Sequence, residues 1–342
     1  MTPELPVSSD AIGETLSTRL SWAIEQRLVQ QELVRPDGTR LRLGVRKTDR
    51  GEEFFANYAG TGKPFPVAHQ KPRRTKSGLI IKLNELRKLR PAAPLLKPGR
   101  LPDLDPNPQT CSFGCLNPAA SGSILKRPVL LRIKAPTHEF AVMPQLVPLE
   151  PAHVLLVPCE GREQVSFPHL DQVLTEQLLE EMVEIAAALQ DWTLVFNSMH
   201  AGATVRHFHL QAVGLSEPLP VERAGTVQRA GWPLLDKFPA RGIMFDEAQR
   251  PKLIDAALAL QKRSLPFNVL ARGRKIFLFG RNPDQEIIDI FPHTRFAAME
   301  MAGVIYTSSQ EAFDGATDET ITTALTRTTL TAEELLEVLG IR

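Results

Sequence analysis

Asn197-Ser198-Met199-His200-Ala201-Gly202-Ala203-Thr204-Val205-Arg206-His207-Phe208-His209-Leu210-Gln211 is the stretch on which the reading of this chain turns. Its second part alternates polar and apolar residues, which predicts a strand over 205–213 with successive side chains on opposite faces. His207, His209 and Gln211 then share one face; Phe208, Leu210 and Arg206 take the other. Two imidazoles and a carboxamide in a row do not build core; such a row lines a site or faces solvent. Just upstream, residues 201–204 are small. Gly202 lets the backbone approach a ligand closely. The N–H groups of this turn, Ala203 included, can hold phosphate oxygens together with the Thr204 hydroxyl. Asn197 ends a strand predicted over 192–197 and supplies both a donor and an acceptor.

These residue types suit attack on a phosphoanhydride. Imidazole is a good nucleophile that is largely neutral near pH 7, its unperturbed pKa being about 6.5. Amide and hydroxyl donors around it stabilise charge developing on the phosphoryl oxygens. Gln211 can donate to a non-bridging oxygen but has no titrating proton. That favours transfer to an acceptor over activation of water.

Asn197, the Ala201–Thr204 turn and His207-x-His209-x-Gln211 together resemble the histidine-triad superfamily, in its transferase and phosphorylase branch. That branch includes galactose-1-phosphate uridylyltransferase, diadenosine tetraphosphate phosphorylase and the GDP-hexose phosphorylases, such as GDP-L-galactose phosphorylase. The resemblance runs from about residue 111 to the C-terminus. It implies that His209 is the nucleophile, that His207 supports it and that Gln211 contacts the α-phosphate. Asn197 and Thr204 would hold phosphate or ribose. The implied substrate is a nucleoside diphosphate sugar or a dinucleoside polyphosphate. The acceptor is inorganic phosphate or a sugar phosphate, and the intermediate a covalent nucleotidyl-histidine. Two other readings stay open: a nucleotide-binding regulator without turnover, and a hydrolase of nucleotidyl conjugates.

No cofactor is required by this chemistry. In some relatives a cysteine pair, a histidine on the strand equivalent to that of His153 and the first motif histidine bind a structural zinc. Cys111, Cys115 and His153 are the candidates here; two ordinary thiols in a loop is the other reading. Cys159 reads as core. His200 stands beside the turn as a wall residue, and some relatives form homodimers.

The rest of the chain sets bounds. Its 342 residues carry a formal net charge of +1, with 43% hydrophobic and 23% charged residues. Such a balance points to neither nucleic acid nor membrane. Three cysteines fit a reducing cytoplasm. An amphipathic helix is expected after Ser9 or Asp10, with Leu16, Leu20, Ile24 and Leu28 on one face. Between Lys71 and Arg100 stand ten Lys or Arg and one acid, Glu85: a solvated basic face or a lining for an anionic substrate. Gly60-Thr61-Gly62-Lys63 is no phosphate loop, because Pro64 stands where Ser or Thr is needed. His293-Thr294-Arg295 reads as a surface loop.

Strands are expected at 41–46, 53–58, 79–83, 129–134, 139–143 and 153–158. Helices are expected at 170–190 and 247–262, and a hairpin over 267–279. Thr331 and Glu334 form a capping box for a last helix. The proline-rich run 90–109 suggests a boundary. The expected units are 1–105 (helix, strands and connector), 106–240 (catalytic half) and 241–342 (second half, without the histidines). The expected class is α+β, a histidine-triad-like antiparallel sheet with helices in a duplicated half-barrel arrangement.

Overall fold

The computed structural model describes residues 4–7, 12, 14–16, 18–19, 31–34, 40–48, 51–58, 65–66, 72–84, 111, 113–116, 124–145, 148–150, 152–161, 165–189, 191–215, 217–285 and 296–341. The N-terminal part gives strands β1 (Glu4–Pro6), β2 (Gln31–Val34), β3 (Arg40–Thr48), β4 (Gly51–Tyr58), β5 (Phe65–Pro66), β6 (Arg73–Arg74) and β7 (Ile80–Leu83). Next come β8 (Leu131–Lys134), β9 (Glu139–Pro144), β10 (His153–Cys159), helix α1 (Glu176–Leu189), β11 (Trp192–Asn197) and β12 (Leu210–Gly214). Then follow β13 (Gly225–Arg229), β14 (Trp232–Asp236), β15 (Ile243–Asp246), α2 (Arg250–Lys262), β16 (Phe267–Arg272) and β17 (Lys275–Gly280). The chain closes with α3 (Ala298–Met301), β18 (Val304–Thr307), α4 (Gln310–Gly315), α5 (Asp318–Thr328) and α6 (Ala332–Val338).

Eleven strands form one large sheet in the order β1-β8-β9-β10-β12-β11-β16-β17-β15-β14-β13. All its neighbours run antiparallel except β1 on β8. The order contains a repeat. Three strands, a helix and two strands (β8-β9-β10-α1-β11-β12) recur as β13-β14-β15-α2-β16-β17, with the same internal pairing. The two copies join where β11 pairs with β16. Mixed α+β architecture with a large antiparallel sheet is therefore what the chain adopts. The connection that matters for the motif differs between the copies. Residues 198–209, with both motif histidines, link β11 to β12, whereas Gly273-Arg274 alone links β16 to β17.

Helices α1 and α2 cover one face of the sheet, burying Leu178, Met182, Ile185, Leu253 and Leu260 against Phe196, Phe208, Leu210 and Val269. Phe196 stacks on Phe208 with centroids 5.9 Å apart and lies 5.7 Å from Phe267. Each such fully buried side chain contributes roughly 1.5–3 kcal/mol. The opposite face carries two clusters. One packs Phe113, Ile124, Met143, Leu155 and Phe167; the other packs Val195, Val213, Phe277, Phe296, Met299 and Tyr306. In the second cluster β7 pairs in parallel with β18. Residues from both sides of the proline-rich connector thus share a small sheet.

The helix expected over 170–190 begins later, at Glu176. Thr175 supplies the cap, its hydroxyl accepting the Leu178 N–H at 3.1 Å. Residues 170–172 form no regular element instead, and their polar groups are used on the histidine segment. Of the N-terminal helix, Ile12 and Leu16 are helical and fully buried. Ser9, Asp10, Leu20, Ile24 and Leu28 lie outside the described residues, as do Gly60–Lys63 and His293–Arg295. Strands β13 to β15 were not expected. Every residue of β13 is exposed, so it shows no buried face to read. Among the described residues no helix is long and apolar enough to cross a membrane.

Candidate active site

Strand β12 begins at Leu210, so the ladder expected over 205–213 starts five residues late. The alternation survives nonetheless. Phe208, Leu210 and Ala212 enter the core under the helices, and His207, His209 and Gln211 take the other face. What replaces the missing ladder is the segment ahead of α1. The Phe208 N–H donates to the Leu170 carbonyl at 2.7 Å. Arg206 makes a two-pronged ion pair with Asp171, both contacts at 3.1 Å. Gln172, buried, accepts the His209 N–H at 2.9 Å and donates to the carbonyls of Asn197 (2.9 Å) and His209 (3.2 Å). The β11–β12 register, in which Val195 faces Gln211, places Asn197 opposite His209. One side-chain amide therefore takes the place of that cross-strand link.

The two histidines and Gln211 are all buried, His209 at 6% and Gln211 at 8% exposure. His209 Nδ1 lies 2.8 Å from the carbonyl oxygen of His207. A carbonyl can only accept, so Nδ1 carries a proton, and in the neutral ring the lone pair is on Nε2. Gln211 is oriented by a comparable argument. The Leu149 N–H donates to His153 Nδ1 at 2.8 Å, so His153 Nε2 bears the proton and donates to Gln211 Oε1 at 3.0 Å. That turns the Gln211 NH2 group away from His153. Asn84 donates to the carbonyls of Pro148 and Leu149, which fixes the turn leading into His153. Phe113 sets the apolar wall, its ring centroid 5.0 Å from that of His209.

The upstream turn leans on the second copy of the repeat. Asn197 Oδ1 accepts from Asn268 Nδ2 at 2.7 Å and from the Ala298 N–H at 3.1 Å. Gly202 has φ +103°, and a Cβ there would lie 2.5 Å from the Ala297 Cβ. The absent side chain is thus required by packing within the protein. Ala203 is buried and bridges Met199; Thr204 is exposed. His200, also at positive φ (64°), turns the chain next to Ala201.

The cysteine pair meets His207, as expected, but His169 in place of His153. Cys111, Cys115, His169 and His207 bring one ligand atom each to within 4.8 Å of one another. His153 is not among them, because its ring is spent on Leu149 and Gln211. Cys111 Sγ is 3.6 Å from His207 Nδ1, and Cys115 Sγ is 3.6 Å from His169 Nδ1. Zinc bonds of about 2.3 Å to sulfur and 2.0 Å to nitrogen put neighbouring corners of a tetrahedron about 3.6 Å apart. Burial, with the nearby His169 and His209, pushes the His207 pKa down to about 3, keeping it the neutral imidazole that a metal needs. Burial and Cys111 push the Cys115 thiol up to about 11, a penalty that a cation would reverse. His169 Nε2 and His207 Nε2 are buried without hydrogen-bond partners among the described residues. The donor set fits zinc.

Three comparisons show which known proteins this chain is similar to. Residues 233–340 match the family described as "GDPGP1-like, C-terminal domain". Two Arabidopsis thaliana proteins, GDP-L-galactose phosphorylases 2 and 1, are each 28% identical over 213 residues, covering 56% of this chain. The alignment takes in 48% and 47% of those proteins, so the chain spans about half the length of the curated relatives it matches. Crystal structures of yeast Ap4A phosphorylase Apa2 share the fold. The complex with Ap4A superposes with a TM-score of 0.53 at 14% identity, over 77% of this chain and 90% of that one. The complex with AMP gives 0.53 at 12%, over 94% and 97%.

The sequence likeness is to GDP-L-galactose phosphorylases, and the fold is shared with an Ap4A phosphorylase. The matched C-terminal region, residues 233–340, holds Asn268, Arg281 and Ala297, which pack against the histidine turn. Those residues, Gln172 and His169 carried no signal in the sequence. Each is a single polar or small residue in an unremarkable context, and its role exists only through a distant partner.

Proposed function

We propose that this protein is a nucleotidyltransferase of the phosphorylase type. It cleaves a nucleoside diphosphate sugar or a dinucleoside polyphosphate, with inorganic phosphate or a sugar phosphate as acceptor. The observation that carries the proposal is the His209 Nδ1–His207 carbonyl hydrogen bond, which keeps a proton on Nδ1 and so makes Nε2 the nucleophilic nitrogen whenever the ring is neutral. In the first step the Nε2 lone pair attacks the α-phosphorus. The bond to the bridging oxygen breaks, and the sugar phosphate or nucleotide leaves with that electron pair. Positive charge on the nucleotidyl-imidazole is shared with the His207 carbonyl through Nδ1–H. The Gln211 NH2 group, aimed by His153, donates to a non-bridging oxygen. In the second step an acceptor oxygen attacks the same phosphorus and the P–N bond returns its pair to Nε2. Gln211 offers no proton relay to water, which favours transfer over hydrolysis.

A zinc ion on Cys111, Cys115, His169 and His207 would tie the loop carrying Phe113 to the histidine segment, a structural role outside the reaction. The activities for which the similar proteins are named support the substrate class. The test is a panel of GDP-, ADP- and UDP-hexoses and diadenosine polyphosphates, each with phosphate, followed by mass spectrometry of the protein. A nucleotidyl adduct on His209, lost in His209→Ala along with turnover, is the expected result. Equal turnover by His209→Ala rejects the mechanism.

A further inference from the structure

The second copy of the repeat lacks histidines, yet its one fully buried arginine reaches toward the first copy's site. Arg281 donates through Nη1 to Asn268 Oδ1 and to the Phe296 carbonyl, both at 2.8 Å, and through Nε to the Thr328 carbonyl at 3.0 Å. A guanidinium can only donate, so Asn268 must turn its oxygen to Arg281 and its NH2 group the other way. That NH2 group donates to Asn197 Oδ1 and to the Ala201 carbonyl, both at 2.7 Å. Asn197 Oδ1 also receives the Ala298 N–H. With its oxygen held by two donors, Asn197 has one orientation left, NH2 outward, on the face it shares with His209 and Gln211.

We infer that Asn268 and Arg281 are positioning residues that act through Asn197, holding its carboxamide as a donor toward the bound nucleotide. The inference rests on the proposed nucleotide site. Arg281 sets Asn268, Asn268 sets Asn197, and a permanent charge stands at the head of the chain because it leaves no alternative orientation. The matched C-terminal region is then part of the working site.

Asn268→Asp tests this with little change of volume. An aspartate still accepts from Arg281 but offers an acceptor to Asn197, which must flip and present its oxygen to the nucleotide. GMP affinity by calorimetry and phosphorolysis rates are compared for wild type, Asn268→Asp, Asn197→Ala and the double variant, with melting temperatures alongside. Loss of a single oriented donor predicts a fall in kcat of about a hundredfold. GMP binding is expected to weaken, and the melting temperature to fall by a few degrees because the carboxylate faces the Ala201 carbonyl. In the Asn197→Ala background Asn268→Asp should add nothing further, the signature of a residue acting through another. Unchanged affinity in Asn268→Asp, additive effects in the double variant, or no GMP binding by the wild type would overturn the inference. Absent phosphorolysis in the wild type, with the affinity loss retained, overturns the proposed reaction alone.

Discussion

Gln172 and His209 are joined by two hydrogen bonds between one side chain and one backbone. The amide oxygen accepts the His209 N–H at 2.9 Å, and the amide nitrogen donates to the His209 carbonyl at 3.2 Å. The same nitrogen holds the Asn197 carbonyl. This single residue spans a gap where β11 and β12 part, which frees the imidazole from the pleat of a regular ladder. Gln172→Glu keeps the acceptor but sets a carboxylate against two carbonyls. We expect a loss of about 1–3 kcal/mol in stability by urea denaturation and at least a tenfold drop in kcat. Full activity at wild-type stability would contradict this account.

His153 and Gln211 form the other oriented pair. Gln211→Ala removes the donor and should lower kcat by about a hundredfold. His153→Phe preserves the ring volume and leaves Gln211 able to turn. It should cost less than Gln211→Ala, and the double variant should match Gln211→Ala alone. Steady-state kinetics on the four proteins decide it; a larger loss for His153→Phe than for Gln211→Ala goes against the pairing.

The cysteine cluster predicts metal content. Elemental analysis should find about one zinc per chain, since four ligands complete a tetrahedral site. Cys111→Ser and His169→Ala should abolish the zinc and lower the melting temperature by several degrees, and a chelator should do the same to the wild type. His153→Phe should keep the metal, which separates the set with His169 from the one with His153 expected on sequence grounds.

Gly202 is constrained twice, by its positive φ and by the Ala297 side chain. Gly202→Ala is expected to destabilise by about 1–3 kcal/mol. Adding Ala297→Gly removes the collision but leaves the backbone strain, so stability should recover in part. No recovery in denaturant melts would place the whole cost in the backbone.

The local features of this chain were legible. Alternation put His207, His209 and Gln211 on one face because side-chain direction follows from neighbouring residues alone, and it did so even though the ladder there is missing. The hairpin over β16 and β17 and the Thr331–Glu334 box were readable for the same reason: their partners lie within a few residues. Strands β13 to β15 were not readable, since β13 buries no side chain and so carries no period.

Sequence alone determined which residues are candidates for the chemistry and which way their side chains alternate, because alternation is a short-range consequence of covalent geometry. Only the tertiary structure decided what holds them. Gln172 meets His209 across 37 residues, His153 meets Gln211 across 58 and Asn268 meets Asn197 across 71. Cys111 took His207 into its cluster from 96 residues away and left out His153. A hydrogen bond fixes the orientation of its groups only when the fold delivers both partners to within about 3 Å, and no pattern along the chain records that delivery.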